Sequence, residues 1–149
     1  VKTVDGYSML LNLKRLRKLN NFNFFDENFF LYLENDDICL RARKNNQKIY
    51  IIKNSLIDHL GASSSNIKDT KEFDYLRNWH WMWSKFYFHK KHSGFLVSII
   101  KIFPTFISSF MKFIFYLLFY KKHKRKIYQM RLLGIINAFI GKKSFYRID

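Results

Sequence analysis

Phe25-Asp26-Glu27-Asn28-Phe29-Phe30-Leu31-Tyr32-Leu33-Glu34-Asn35-Asp36-Asp37-Ile38-Cys39-Leu40-Arg41-Ala42-Arg43 holds five of the 11 acidic residues of a 149-residue chain whose net charge is +16. The rest of the stretch is aromatic and apolar, so a carboxylate cluster here needs a physical reason. Two readings stand on the residues alone. Acids ahead of Ile38 and bases at Arg41, Arg43 and Lys44 suit the dipole of a helix over 36–45, with Asn35 or Asp36 as its cap. Alternatively, a carboxylate held at a helix start serves as a general base.

Working outward, the charge is uneven. Residues 1–75 carry 12 Lys/Arg against 10 Asp/Glu, whereas residues 76–149 carry 15 Lys/Arg against Asp149 alone. The first half reads as a near-neutral globular piece. The second reads as a basic surface for an anionic partner. Apolar content of 48% with 17 Phe excludes wholesale disorder. Cys39 is the single cysteine, so no intrachain disulfide forms and the chain suits a reducing compartment. The N-terminus shows no apolar run ahead of a small-residue cleavage site. Strand-like sequence follows Val1 almost at once, which predicts a start inside a domain.

Short apolar runs at 7–12, 48–52 and 56–60 predict strands. Leu13, Leu16 and Leu19 at spacing three predict a short helix over 13–19, stopped by Asn20-Asn21. Residues 22–33 read as an aromatic loop, and Asn45-Asn46 ends the acidic-to-basic helix. Residues 71–91 read as an aromatic helix broken at Ser93-Gly94. Residues 127–140 read as a further helix, and Gly141 opens a basic tail.

Residues 95–120 are near-continuously apolar over 26 residues, long enough to cross a bilayer, which takes about 20. Ser98, Lys101, Thr105, Ser108 and Lys112 nevertheless recur at steps of 3, 4, 3 and 4. On a helix they form one polar stripe. Lysines at the centre of a span cost roughly 2.5–3.5 kcal/mol each. A helix lying in the membrane interface turns the same stripe to water and its aromatic face to the acyl chains. The block Lys121, Lys122, Lys124, Arg125 and Lys126 then meets anionic lipid. The expectation is an in-plane, monotopic or peripheral anchor, with Lys101, Lys112 and this block as membrane-binding residues. Pro104 permits a kinked version. Long apolar runs between the basic residues argue against nucleic acid as the partner.

His59 follows the acids by about 20 residues, just before Gly61-Ala62-Ser63-Ser64. A strand-end His beside a glycine loop is a candidate metal ligand.

Five motifs occur in order: Gly6-Tyr7-Ser8-Met9-Leu10; Phe25-Asp26-Glu27 with Phe29, Phe30 and Tyr32; Glu34 to Arg43; Lys48-Ile49-Tyr50-Ile51-Ile52; and His59-Leu60-Gly61-Ala62-Ser63-Ser64. Together they resemble the C-terminal half of bacterial family 2 glycosyltransferases of the rhamnosyltransferase type. The resemblance covers residues 6–65 and continues weakly through Arg77-Asn78 and 87–94. It implies an α/β fold: a partial GT-A domain over 1–92, lacking its nucleotide-binding half, with a basic amphipathic helical region over 93–149. It implies sugar transfer with inversion from a nucleotide-sugar donor to a lipid-linked saccharide acceptor, at the cytoplasmic face of the bacterial inner membrane. A divalent cation, Mg2+ or Mn2+, would neutralise the leaving diphosphate in the complete enzyme. By position, Glu34, Asp36 and Asp37 become the candidate catalytic acids and His59 the metal ligand. Asn35, Arg41 and Tyr32 become acceptor- or cleft-lining residues.

Two departures matter. The family's catalytic Asp is Asn35 here, and an amide cannot accept a proton as a carboxylate does; Asp36 or Glu34 would have to substitute. No Asp-x-Asp motif precedes the match, so a separate N-terminal half is an expected partner, and activity is not expected from the chain alone. The alternative is an inactive membrane- or partner-binding module.

Overall fold

The computed structural model of the chain describes residues 1–18, 24–58 and 70–147. Helices are the only regular structure among them. After a 3-10 turn at Gly6–Ser8 come α1 (Leu13–Leu16), α2 (Glu34–Lys44), α3 (Thr70–Ser93), α4 (Phe95–Leu118) and α5 (Lys122–Phe139). The α/β expectation, and with it the GT-A fold, is therefore corrected: the described residues contain no strand and no sheet. Residues 7–12 divide between the 3-10 turn and irregular backbone, and 48–52 and 56–58 are irregular too. An apolar run becomes a strand only when a neighbour completes its ladder of hydrogen bonds. Met9 has extended dihedrals but no ladder forms on it. Local bonds take over instead, such as Ser8 N–H to the Asp5 carbonyl at 3.4 Å and Ser55 N–H to the Ile52 carbonyl at 3.2 Å.

The chain divides into two compact units, Val1–Glu27 with Leu33–Asn66, and Asn28–Tyr32 with Ile67–Asp149. In the first, Leu16, Ile38, Cys39 and Ala42 are buried. Leu10 and Leu56 stand 92% and 93% exposed, so the apolar runs of this unit lie largely on its surface. The predicted helix at 13–19 is a single turn ending at Leu16, with Asn12 Oδ1 accepting from Arg15 N–H at 3.0 Å. Leu19, Asn20, Asn21, residues 22–23 and the end of the 56–60 run lie outside the described residues.

The second unit is built on α3, α4 and α5. Leu76, Trp79, Met82, Trp83 and Phe86 recur every three or four residues and form the buried face of α3. Ile102 from α4 and Met130, Ile135 and Ala138 from α5 complete this core. Gly134 lies where α5 meets α3; a methyl group there would overlap the Trp79 carbonyl oxygen. The Asn28–Tyr32 segment packs on α3. Phe29 meets Tyr87 edge-on at 5.0 Å, and the Ser84 hydroxyl donates to the Leu31 carbonyl at 2.7 Å. Residues 142–147 return to the same helix: the Trp83 indole donates to the Lys142 carbonyl at 2.9 Å, and Trp79 meets Phe145 edge-on at 5.3 Å.

Helix ends follow local chemistry. Asn46 (φ 57°), Tyr120 (φ 53°) and Gly141 (φ 78°) are left-handed residues after α2, α4 and α5. Each is followed by an N–H that reaches back five residues, as from Lys121 to the Tyr116 carbonyl at 3.0 Å, the pattern of a Schellman stop. Gly94, at φ 88° and ψ 166°, separates α3 from α4 in a region that essentially only glycine enters. The basic block, read above as preceding the helix at 127–140, forms the start of α5.

His80 is fully buried between Trp79 and Phe30. Its Nε2 lies 2.7 Å from the Tyr146 carbonyl, which only accepts, so Nε2 carries the proton. Nδ1 then accepts from the Ser144 hydroxyl at 2.8 Å. Burial, with Arg147 nearby, pulls the imidazole down to about 4 despite the bond to Tyr146. Above pH 6.5 the folded and unfolded states are both neutral at this site. Below it the unfolded chain takes a proton that the folded one refuses, so stability falls towards pH 4, by about 3 kcal/mol at this site. Urea unfolding at pH 7.5 and pH 4 should show that loss, and His80→Gln should flatten it.

Candidate functional site

The acidic cluster opens α2. Leu33 precedes it with φ 67°, after Tyr32 at φ 69°. Two non-glycine left-handed residues in sequence are uncommon and cost on the order of 1 kcal/mol each. The cap expected from Asn35 or Asp36 is not made. The helix begins earlier, at Glu34, and Leu33 supplies only its carbonyl, accepting from Asp37 N–H at 2.8 Å.

The four polar side chains then diverge. Asn35 Nδ2 donates to the Val4 carbonyl at 2.8 Å, which ties the N-terminal segment to α2. A carboxylate there would set oxygen against oxygen, so the amide has a structural use at this position. Asp37 is fully buried and pairs with Arg41 one turn on, Nε to Oδ2 at 2.8 Å. Arg41 also donates to the Phe24 carbonyl at 2.7 Å. Asp36 is half-buried, about 100° around the helix from Asp37. Glu34 is half-buried on the side of Asp37 and Ile38, and its Oε2 is shielded from solvent with no hydrogen-bond partner. Among the three acids, Glu34 thus keeps an uncommitted oxygen while Asp37 is held by a cation.

The same unit contains an open cleft of about 960 Å3, walled by Leu11, Leu16, Ile38, Ala42, Ile49 and Ile57 among others. None of the α2 acids lines it. His59 lies outside the described residues, as do Gly61, Ser63 and Ser64. The described residues hold no group of three or more His, Cys, Asp or Glu fit for a metal ion. Tyr32 belongs to the other unit, where its ring meets Trp81 edge-on at 5.4 Å and its hydroxyl accepts from Arg77 Nε at 2.8 Å.

In the helical unit, α4 has the length and hydropathy of a membrane-crossing helix, with only 17% of its most apolar window buried. Its exposed side carries Leu96, Ile100, Phe103, Ile107, Phe110, Met111 and Leu118, at helical spacing. Leu96, Ile100 and Leu118 are 74%, 71% and 68% exposed. The polar stripe behaves differently along its length. Ser98 is buried, its hydroxyl donating to the Phe95 carbonyl, and Lys101 is exposed. Thr105, Ser108 and Lys112 border a cavity shared with α3 and α5.

Lys121, Lys122 and Lys124 are exposed, and Arg125 and Lys126 half-buried. Lys124 Nζ lies 5.6 Å from the Tyr116 ring, which stacks on Tyr128 at 5.6 Å. Lys121, Lys122, Lys124 and Arg125, at the cap and first turn of α5, oppose its dipole at roughly 0.3–1 kcal/mol each at low salt. An anionic surface against that end would relieve the strain. Comparison with family models, curated proteins and solved structures finds no match to this chain.

Proposed function

We propose that the chain is the acceptor-side, membrane-docked part of a glycosyltransferase. It would act with a separate nucleotide-sugar-binding half, at the cytoplasmic face of a bacterial inner membrane. The outward apolar face of α4, continuous with the basic start of α5, carries the membrane part of this reading. Such a face suits acyl chains below and anionic head groups beside it. The ordered motifs from Gly6 to His59 support the enzymatic part. The exposed Leu10, Ile51, Ile52 and Leu56 would meet that separate half.

In this reading Glu34 is the general base. Its unpaired Oε2 is shielded from solvent, so an acceptor must first uncover that end of α2; the carboxylate then takes the proton of the acceptor hydroxyl, whose oxygen attacks the anomeric carbon of the donor with inversion as the nucleoside diphosphate leaves. Asp37 and Arg41 fix the helix that presents it. The described residues supply no metal site, so no step is assigned to a cation.

Reconstituted with the nucleotide-sugar-binding half on acceptor-bearing vesicles, Glu34→Gln should lower kcat by roughly 10²–10⁴, the usual contribution of a general base. Asp36→Asn should change it only a few-fold. Full activity in both would exclude both as the base. A second reading, an inactive membrane-binding module, is favoured by Asn35, whose amide is committed to Val4. It predicts unaltered membrane binding and no sugar transfer in any such reconstitution.

A further inference from the structure

The cavity between α3, α4 and α5 measures about 420 Å3, and its wall is basic. Lys85 comes from α3, Lys112 from α4 and Arg131 from α5. Thr105, Ser108, Ser109 and Tyr128 add hydroxyl groups, and no carboxylate lines it. Three cations from three helices thus line one small space, and no acid in its wall balances them.

Arg131 forms the α5 side of this space. It is half-buried, and its polar contacts are long: Nε to Ser109 Oγ at 3.4 Å and one terminal nitrogen to Asn78 Oδ1 at 3.3 Å. A guanidinium offers five N–H donors in a planar fork. These two neutral acceptors leave most of that capacity unused. The Tyr128 ring lies 5.8 Å from the Arg131 guanidinium and 5.5 Å from Lys112 Nζ, which brings both cations to one side chain. Burial pulls the guanidinium below its usual value, with Tyr128 opposing the shift.

The geometry points to a phosphoryl-binding site in this groove, with Arg131 as the bidentate anchor, Lys112 and Lys85 as flanking charges, and Ser108 and Thr105 as hydroxyl donors. Arg and Lys together with hydroxyl groups are the chemistry that recognises phosphate oxygens. The cavity volume lies in the range of small-ligand sites. The phosphate could arrive free in solution or on a lipid head group, since the groove shares α4 with the outward apolar face. The site stands apart from the glycosyltransferase reading and does not need it.

The test uses the purified full chain. Orthophosphate and pyrophosphate, titrated against chloride at constant ionic strength, should raise Tm in the wild type. Arg131→Gln and Lys112→Gln should each weaken the apparent affinity roughly tenfold or more, on the scale of a lost charge-assisted contact. Arg131→Lys should recover part of it, and Lys121→Gln/Lys122→Gln, outside the groove, should leave it intact. Circular dichroism excludes variants that have lost their helices, and Lys112 is exposed enough to make that variant safe. Adding vesicles of phosphatidylcholine with phosphatidic acid, or with phosphatidylglycerol at equal surface charge, separates the sources. Displacement of bound pyrophosphate by phosphatidic acid vesicles identifies a lipid head group as an occupant, and no displacement identifies the free ion. No rise in Tm with either ion overturns the site. Equal weakening by Lys121→Gln/Lys122→Gln overturns it too, because diffuse charge then explains the binding. Membrane flotation that survives Arg131→Gln leaves the docking role of α4 unaffected, so the two ideas fail separately.

Discussion

The double substitution Ile100→Glu/Ile107→Glu is expected to abolish flotation of the protein with phosphatidylglycerol vesicles, lowering partitioning by roughly a hundredfold or more. Both side chains lie on the exposed side of α4, so the core around Trp79 and Ile102 is not disturbed. Burying one large apolar side chain is worth about 1.5–3 kcal/mol, and at an interface each contributes some part of that. Losing two and introducing two carboxylates against anionic lipid removes at least about 3 kcal/mol, which is more than a hundredfold. Neutralising Lys121, Lys122, Lys124, Arg125 and Lys126 should act differently. At about 1 kcal/mol per charge it should weaken binding to anionic vesicles and reduce its salt dependence, while binding to neutral vesicles persists. If α4 instead covers another protein, gel filtration should show a larger species that the double substitution dissolves, with no flotation in the wild type.

Gly134→Val is expected to destabilise the helical unit by about 3 kcal/mol, at the upper end of the overpacking range. Even a methyl group at Gly134 meets the Trp79 carbonyl oxygen and carbon and the Met82 Cβ. Two of these three are backbone atoms, so no rotamer change can make room, and α3 and α5 would have to separate. Ala138, one turn further along α5, is small and buried as well. Against a total stability of about 5–15 kcal/mol, the shift is large. Urea unfolding followed by the fluorescence of Trp79, Trp81 and Trp83 should report it, because all three lie on α3.

Much of the helical content was legible in the sequence, for identifiable reasons. The acid-to-base gradient from Glu34 to Lys44, the aromatic repeat of α3 and the stops at Asn46, Gly94 and Gly141 are local signals, and they placed helices close to where they occur. The runs at 7–12, 48–52 and 56–58 were misread because a strand depends on a partner that no local pattern reveals. The start of α5 was missed because the basic block carries no apolar periodicity, although Lys and Arg are good helix formers. His80 gave no signal beyond its place between two tryptophans; Ser144 and Tyr146, which hold it, lie more than 60 residues away.

At the candidate site the split was similar. Asn35 stood out as an amide in place of an acid, but its bond to Val4 depends on where the N-terminal segment lies. The commitment of Asp37 to Arg41 is an i, i+4 pair and could be read directly. The polar stripe of α4 was visible at its spacing, yet water was expected in front of it. Lys85 and Arg131, which close the groove, come from helices on either side in sequence.

The most direct test of membrane docking by α4 is the depth of its side chains in a bilayer. In a Cys39→Ser background, single cysteines can carry a nitroxide at positions 100, 101, 103, 105, 107, 108, 110 and 112, with oxygen and a water-soluble nickel chelate as relaxers. On anionic vesicles the depth should oscillate with the helical period: labels replacing Ile100, Phe103, Ile107 and Phe110 lie among acyl chains, those replacing Lys101, Thr105, Ser108 and Lys112 stay shallow, and mean depth is constant along the helix. Labels that all remain open to the chelate, or a depth that runs steadily from one end of α4 to the other, would contradict this.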